Sequence, residues 1–179
     1  MTNATTEDKA ENREYSRVDV YVPMEWKVIH PEHIDTCRSR VAGESILAEF
    51  KSLPNPDDQL IAQWLQSINA KLDEIIRMMT RHSDGFHCLS VAKVNIGGGG
   101  MRLNTGGSLT AGDILEIKVM IGLQKPVALF LYGEVLESGE AVSEYDTAVR
   151  FIHIDDFVRD EIIRFVFETE REILREKRR

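Results

Sequence analysis

The chain has 179 residues, 42% of them hydrophobic, which suits one domain with a large insertion or two very small domains. Its formal net charge of −8 makes duplex nucleic acid a poor candidate partner. No apolar run approaches the roughly 20 residues of a membrane span, and the polar N-terminus lacks the apolar centre of a secretory signal. We therefore expect a cytoplasmic protein with no membrane span, whose residues 1–12 form a disordered tail.

Six segments of the chain are typical of β-strands. The first is predicted at residues 17–29, where RVDVYVPMEWKVI is rich in branched and aromatic residues, and Pro23 suggests an edge or a bulge. Five more follow between Phe86 and Ile154, separated by glycine-bearing or polar turns: FHCLSVAKVNI, MRLNT, ILEIKVMI, VALFLYGEVL and TAVRFIHI. Six strands can close a small barrel and remove its exposed edges.

Residues 31–85, between the first two strands, are predicted to form a helical hairpin. Ile34, Cys37 and Val41 recur at helix spacing in its first arm. If the first two strands pair as neighbours, the chain between them must leave the barrel and return to the same place. Two antiparallel helical segments joined at SLPNP satisfy that requirement, whereas one long helix does not.

The second arm is predicted as a helix over residues 56–82, with Asn55 as its N-cap. Its apolar residues are spaced 4-3-4-3-4, which is a heptad seam: Ile61, Leu65, Ile68, Leu72, Ile75 and Met79. Leucine at a positions with isoleucine at d favours trimers or tetramers, so we predict a homotetramer joined by a coiled coil. The alternative is that this face packs on the protein's own barrel or on the first arm.

A final helix is predicted from Phe157 toward Glu176, after the N-cap pair Asp155 and Asp156. Its apolar residues form one stripe that can lie against the barrel: Val158, Ile162, Phe165, Val166 and Ile173.

Two polar motifs stand at the ends of predicted strands. Arg13 and Arg17 form an RxxxR pair directly before the first strand, and Asn95–Gly100 reads NIGGGG between two later ones. In this order the motifs resemble the PilZ domain, whose pattern is RxxxR, then a strand or two, then [D/N]xSxxG. The run AVRFIHI is similar to the family's last strand, and EIIRFVFETEREILR to the closing helix of its flagellar-brake-like members. The heptad-bearing insertion resembles the family's atypical, tetramer-forming branch.

The resemblance implies a fold class, which is α+β and mainly β. A six-stranded antiparallel PilZ-like β-barrel is expected from residues 13–30 and 86–179. Residues 31–85 are then a helical-hairpin insertion after the first strand, and a helix closes the chain.

The resemblance also implies a function, that of a non-catalytic cyclic di-GMP receptor regulating motility, pili, biofilm or virulence. The ligand-binding residues it implies are Arg13, Arg17, Asn95, Gly97 and Gly100. Gly97 stands at the family's serine position, so one hydrogen bond to the ligand, worth about 0.5–1.5 kcal/mol, is missing. The alternative is a degenerate PilZ-like scaffold that assembles and binds protein partners without nucleotide.

No catalytic set is recognisable, because no serine or cysteine stands in a nucleophile elbow and the glycine run is not followed by a helix. His30, His33 and Cys37 have loosely metal-like spacing, but no second cluster follows them. We therefore predict no enzyme activity, no metal and no cofactor. The expected partners are cyclic di-GMP, further copies of the chain, and a motility, pilus or exopolysaccharide protein.

Overall fold

The structure is a computed structural model of the chain. It describes residues 15–30, 32, 37–44, 54, 56–107, 109–122, 125–139 and 144–178. Its strands are β1 (Arg17–Ile29), β2 (Arg40–Val41), β3 (Ser90–Gly97), β4 (Gly100–Leu103), β5 (Ile114–Ile121), β6 (Val127–Ser138) and β7 (Thr147–Ile152). Its long helices are α1 (Gln59–Ser83) and α2 (Asp156–Glu176). The predicted tail of residues 1–12 lies outside the described residues.

The strands form a closed antiparallel barrel. They are ordered β6–β5–β1–β3–β4–β7, and β7 pairs again with β6, so six strands close the ring. The long strand β1 pairs with β3 through its first part and with β5 through its second, changing partner at Met24. Pro23 lies one residue before that change. The predicted six-stranded barrel and the pairing of its first two long strands are confirmed.

The core fills the barrel and extends under α2. Residues on the inner faces of the strands are fully buried, among them Val94, Ile96, Leu115, Ile117 and Leu129. Helix α2 begins after Asp155, whose side chain accepts a hydrogen bond from the backbone nitrogen of Val158 at 2.8 Å. Its predicted stripe is buried from Val158 to Val166, and Ile173 packs partly buried against the same core. The predicted closing helix is confirmed.

The first arm of the insertion departs from the predicted helix. Cys37 and Val41 are not on a helix, because residues 37–39 have no regular secondary structure, Arg40–Val41 form β2, and a turn follows. Strand β7 pairs with β6 only from Tyr132 onward, which leaves the β6 edge at residues 129–130 open to β2. A strand partner on that edge outweighs helical spacing. Ile34 lies outside the described residues.

The second arm is the predicted long helix, with shifted ends. It runs from Gln59 to Ser83, and its N-cap is Asp58 rather than Asn55, which lies outside the described residues. The Asp58 carboxylate accepts hydrogen bonds from the backbone nitrogens of Leu60 at 2.8 Å and Ile61 at 3.1 Å. Within the described residues, no helix has an apolar stretch long enough to cross a membrane.

Three of the predicted strands are shorter in the structure, and one of them, MRLNT, already ends at Leu103. Phe86–Cys88 form a 3-10 turn, so β3 starts only at Ser90. The last strand ends at Ile152, because His153 takes a φ of 50°. The backbone carbonyl of His153 then accepts a hydrogen bond from the Ser39 nitrogen at 3.0 Å, which ties the insertion to the barrel.

Asp146 fastens the loop after β4 to the start of β7. Its carboxylate accepts hydrogen bonds from the backbone nitrogens of Thr105 and Gly106, both at 2.8 Å, and from the Thr147 hydroxyl at 2.8 Å. Burial acts to raise the pKa of Asp146, but these hydrogen bonds outweigh it and hold the pKa below its usual value.

Asp146→Asn is expected to lower the free energy of unfolding by about 1–2 kcal/mol at pH 7, since the neutral amide cannot replace a carboxylate that accepts this many donors. A carboxyl with a lowered native pKa stabilises the fold fully above its unfolded pKa of about 3.9 and loses that contribution as pH falls through the native value. In urea unfolding, the free energies of unfolding of the wild type and of Asp146→Asn should therefore converge as the pH is lowered. Asp160→Asn, on the exposed side of α2, is the control, and a pH-independent difference would contradict this account.

Candidate functional site

The chain leading into β1 crosses the glycine-rich corner between β3 and β4. Arg17 pairs with Gly97 across β1 and β3. A β-carbon at Gly97 would lie 2.5 Å from the carbonyl oxygen of Ser16 and 2.7 Å from the Cγ of Arg17. Because glycine has no β-carbon, the stem of Arg17 can lie directly over this position.

Two rows of residues cross the outer face of the barrel at this corner. The first row joins four strands through Arg17, Gly97, Gly100 and Arg150. The second, two residues further along each strand, contains Asp19, Asn95, Arg102 and Ala148. Since side chains alternate along a strand and Val18 and Val149 are buried, both rows face outward.

The structure thus brings four of the predicted ligand-binding residues together: Arg17, Asn95, Gly97 and Gly100. Arg13 lies outside the described residues. Gly100 is required by packing as well as position, because a β-carbon there would lie 2.2 Å from the carbonyl oxygen of Val149 on β7. The backbones of β3, β4 and β7 therefore lie close together at this corner, and side chains from neighbouring positions can lie over them.

Tyr15 packs on the rest of the glycine corner. A β-carbon at Gly98 would lie 2.9 Å from both the Tyr15 Cδ1 and the Ile163 Cγ1, so ring, corner and α2 meet closely. The guanidinium carbon of Arg159 lies 5.4 Å from the centroid of the Tyr15 ring, within cation–π range. The Arg159 Nη1 also donates to the Gly98 carbonyl oxygen at 3.4 Å. The described part of the arm before β1 is therefore packed against the barrel.

A cavity of about 210 Å³ opens on the outer face beside the corner. It is lined by Arg17, Arg102, Leu136, Glu137, Ala148 and Val149. All of these residues except Arg17 come from β4, β6 and β7. Arg17 is on β1, which is separated from β4 by β3. Arg17 reaches the cavity because Gly97 places no side chain in its way.

The arginines of β4 and β7 at this site are ion-paired with glutamates of β6. The Arg102 Nη2 lies 3.4 Å from the Glu137 Oε1, and the Arg150 Nη2 lies 2.6 Å from the Glu134 Oε2. Exposed ion pairs of this kind stabilise a fold by about 0–1 kcal/mol, because water screens them. An anionic ligand can therefore take over either guanidinium at little cost to the fold.

Asn95 is held by a carboxylate of the neighbouring strand. Its Nδ2 donates to the Asp19 Oδ1 at 3.0 Å, and the Tyr145 hydroxyl donates to the same oxygen at 2.7 Å. Burial and this hydrogen bond to Asp19 raise the pKa of Tyr145 above its usual value. The amide nitrogen of Asn95 is thus engaged by the protein, whereas its side-chain carbonyl oxygen can still accept a hydrogen bond.

A larger cavity, of about 570 Å³, lies away from the glycine corner, between α2 and the end of β5, and charges of both signs line it. Arg164 is paired with Glu161 at 3.0 Å and Arg175 with Glu172 at 3.4 Å. In the part of the chain that the structure describes, no three His, Cys, Asp or Glu side chains are grouped to hold a metal ion.

Helix α1 exposes its heptad seam. None of its residues is buried in the single chain. The six seam residues are between 46% and 68% exposed: Ile61, Leu65, Ile68, Leu72, Ile75 and Met79. The contacts with the barrel described for α1 lie at its C-terminal end, where Arg81 Nη1 donates to the Pro126 carbonyl oxygen at 2.8 Å. The barrel therefore does not cover the seam, and the first arm lies mostly outside the described residues.

Comparison with known proteins shows which fold this is. A crystal structure of a pathogenic protein from Xanthomonas campestris matches the chain with a TM-score of 0.55 and 20% sequence identity, covering 90% of this chain and 91% of that one. That protein is described as a new tetrameric PilZ domain self-assembled via an unusual helical bundle. No sequence model of a known family matches the chain, and no curated protein gives a significant match. The chain has the fold of a PilZ domain, as the resemblance implied.

Arg102, Arg150 and Tyr15 belong to this corner and were not predicted from the sequence. A signal for Arg102 existed, because it shares strand parity with Gly100 and must face the same side. Arg150 alternates with buried Val149 and Phe151 in the same way. Neither pattern says which strand lies alongside, so the neighbours of both arginines depend on the barrel register.

Proposed function

We propose that this protein is a non-catalytic cyclic di-GMP receptor that regulates motility, pili, biofilm or virulence. The observation that carries the proposal is the position of Arg17, which lies over Gly97 and lines a cavity together with Arg102. Cyclic di-GMP offers two phosphates and two guanines. The planar guanidinium fork suits both phosphate oxygens and the O6/N7 edge of guanine. The PilZ-type fold supports the same proposal.

The proposed receptor is a homotetramer that acts in the cytoplasm. Its exposed heptad seam is an apolar stripe of a size that monomeric proteins rarely leave in water. The protein from Xanthomonas campestris with the same fold is tetrameric through a helical bundle, which supports this assembly. The loaded tetramer would then dock onto a motility, pilus or exopolysaccharide protein.

A second candidate function is favoured by two observations at the same corner. The space of a β-carbon at Gly97 is filled by Ser16 and Arg17, and the Asn95 amide nitrogen is engaged by Asp19. A corner that is satisfied within the chain suits an oligomeric scaffold that binds protein partners without nucleotide.

Calorimetric titration with cyclic di-GMP separates the two candidates. The receptor is expected to bind with micromolar or tighter affinity, and Arg17→Ala to weaken binding about 10- to 100-fold, since a charge-assisted hydrogen bond contributes about 1.5–3 kcal/mol. Arg164→Ala, which removes an exposed arginine of α2, is the matched control. The absence of heat in all three proteins would favour the scaffold. Titrations with cyclic di-AMP and GTP test whether the guanine and the cyclic backbone are both recognised.

A further inference from the structure

The cavity beside the glycine corner has two arginines in its lining, and only one of them belongs to the RxxxR motif. The other, Arg102, stands two residues after the last glycine of the run and lies on β4. Asn95 stands opposite it on β3 and Ala148 on β7, so a short side chain flanks it on either side. Its guanidinium can therefore turn toward the cavity without obstruction from these neighbours.

We infer that Arg102 is a second phosphate-binding residue of this cavity and that Glu137 competes with the ligand for it. The inference rests on the proposed function and concerns the phosphates of the cyclic dinucleotide. Arg17 enters from the β1 side and Arg102 from β4, so two guanidinium groups approach one cavity from different strands. A phosphodiester held between them is contacted by charge-assisted hydrogen bonds from both.

Glu137 holds Arg102 in place when no anion is bound. The two side chains are 3.4 Å apart, and the glutamate side chain is 70% exposed. Because this pair is long and largely solvated, it is weak, and a phosphate can replace the carboxylate. The carboxylate also repels an incoming phosphate, since Glu137 lines the same cavity. Glu137 thus lowers the affinity of the site.

Two substitutions at the cavity give opposite results if the inference is correct. Arg102→Ala is expected to weaken cyclic di-GMP binding about 10- to 100-fold, as a charged hydrogen-bond donor is lost. Glu137→Gln is expected to tighten binding up to about fivefold, because the competing charge is removed while the side-chain shape is kept. Arg102→Lys keeps the charge but not the planar fork, so its affinity should fall between those of the wild type and the alanine variant. Isothermal calorimetry measures all three.

Arg164→Ala serves as the control, because this arginine is also paired with a glutamate but lines a different cavity. Thermal unfolding of each variant tests whether the fold is kept. If the wild type binds and Arg17→Ala abolishes binding, while Arg102→Ala stays within twofold of the wild type, the inference is wrong and the receptor proposal stands. If the wild type does not bind, both are wrong. A Glu137→Gln variant that binds more weakly than the wild type also overturns the role given to Glu137.

Discussion

Ile68→Glu is expected to convert the proposed tetramer into monomers and to reduce the mass measured by light scattering to about that of one 20.4 kDa chain. Ile68 lies at a d position in the middle of the exposed seam and is 47% exposed in the single chain. In a four-stranded bundle the substitution places four carboxylates in the apolar core, where the burial of each charge opposes assembly.

The same variant should also lose helix content. None of the residues of α1 is buried within its own chain, and helices in proteins gain most of their stability from packing an apolar face against a partner. Far-UV circular dichroism is therefore expected to show a drop that comes from α1, while the barrel keeps its cooperative thermal transition. The assembled protein, by contrast, should lose helix and quaternary structure together as its concentration is lowered.

Ala70→Glu is the matched control for the seam. It adds the same charge two residues away, at an f position that faces away from a heptad seam. Its mass and helix content should equal those of the wild type. An unchanged mass for Ile68→Glu would contradict the proposed coiled-coil assembly. A reduced mass for Ala70→Glu would show that an added charge anywhere on α1 disrupts the assembly.

Much of the barrel could be predicted from the sequence because its strands carry strong local patterns. Runs such as ILEIKVMI and VALFLYGEVL are long, rich in branched residues and bounded by turns. The pairing of β1 with β3 was the premise from which the returning insertion was predicted, and the strand register confirms it. The heptad seam could be predicted equally well, because six apolar residues keep the alternating spacing of four and three over residues 61–79.

The insertion near the barrel was harder to predict because tertiary contacts decide its structure. The spacing of Cys37 and Val41 is that of a helix, but the open edge of β6 offers β2 backbone partners that the local sequence does not reveal. The cap of α1 illustrates a smaller limit. Asn55 and Asp58 both suit an N-cap, and the structure selects Asp58, which accepts hydrogen bonds from the backbone nitrogens of Leu60 and Ile61.

The candidate site could be predicted only in part. The sequence reveals its two motifs, but not which other side chains lie beside them on the barrel surface. The resemblance of RxxxR and NIGGGG to the PilZ pattern implied that Arg17 lies beside the glycine run, and in the strand register Arg17 stands opposite Gly97. Arg102 and Glu137 could not be placed, because their proximity depends on how the barrel closes through β7 and on the irregular β6–β7 pairing near Val135 and Glu137. Side chains from four strands meet only after closure.

Gly97→Ser is expected to weaken cyclic di-GMP binding and to destabilise the fold, although it restores the serine of the PilZ pattern. The added β-carbon would lie 2.5 Å from the carbonyl oxygen of Ser16 and 2.7 Å from the Cγ of Arg17. The first of these atoms belongs to the backbone, so the chain leading into β1 must shift. Overpacking of this kind costs about 1–3 kcal/mol.

The shift also moves Arg17, the arginine proposed to bind the ligand. Arg17 reaches the cavity by lying across Gly97, so a side chain at that position pushes its stem outward. A serine hydroxyl could add one hydrogen bond to the ligand, worth about 0.5–1.5 kcal/mol, but displacing Arg17 removes a charge-assisted contact worth about 1.5–3 kcal/mol. Because the lost contact with Arg17 is stronger than the hydrogen bond gained, we expect a net loss of affinity.

Gly99→Ser is the matched control, because a β-carbon there meets the Tyr15 ring at 3.4 Å, an ordinary van der Waals distance. Thermal unfolding and calorimetric titration of both variants should show a loss for Gly97→Ser and little change for Gly99→Ser. Gly97→Ala separates the steric effect from the hydroxyl, and it should destabilise the fold as much as serine does. Tighter binding by Gly97→Ser at unchanged stability would mean that the arm before β1 moves away from the corner without cost, so that the glycine merely lacks a useful hydroxyl.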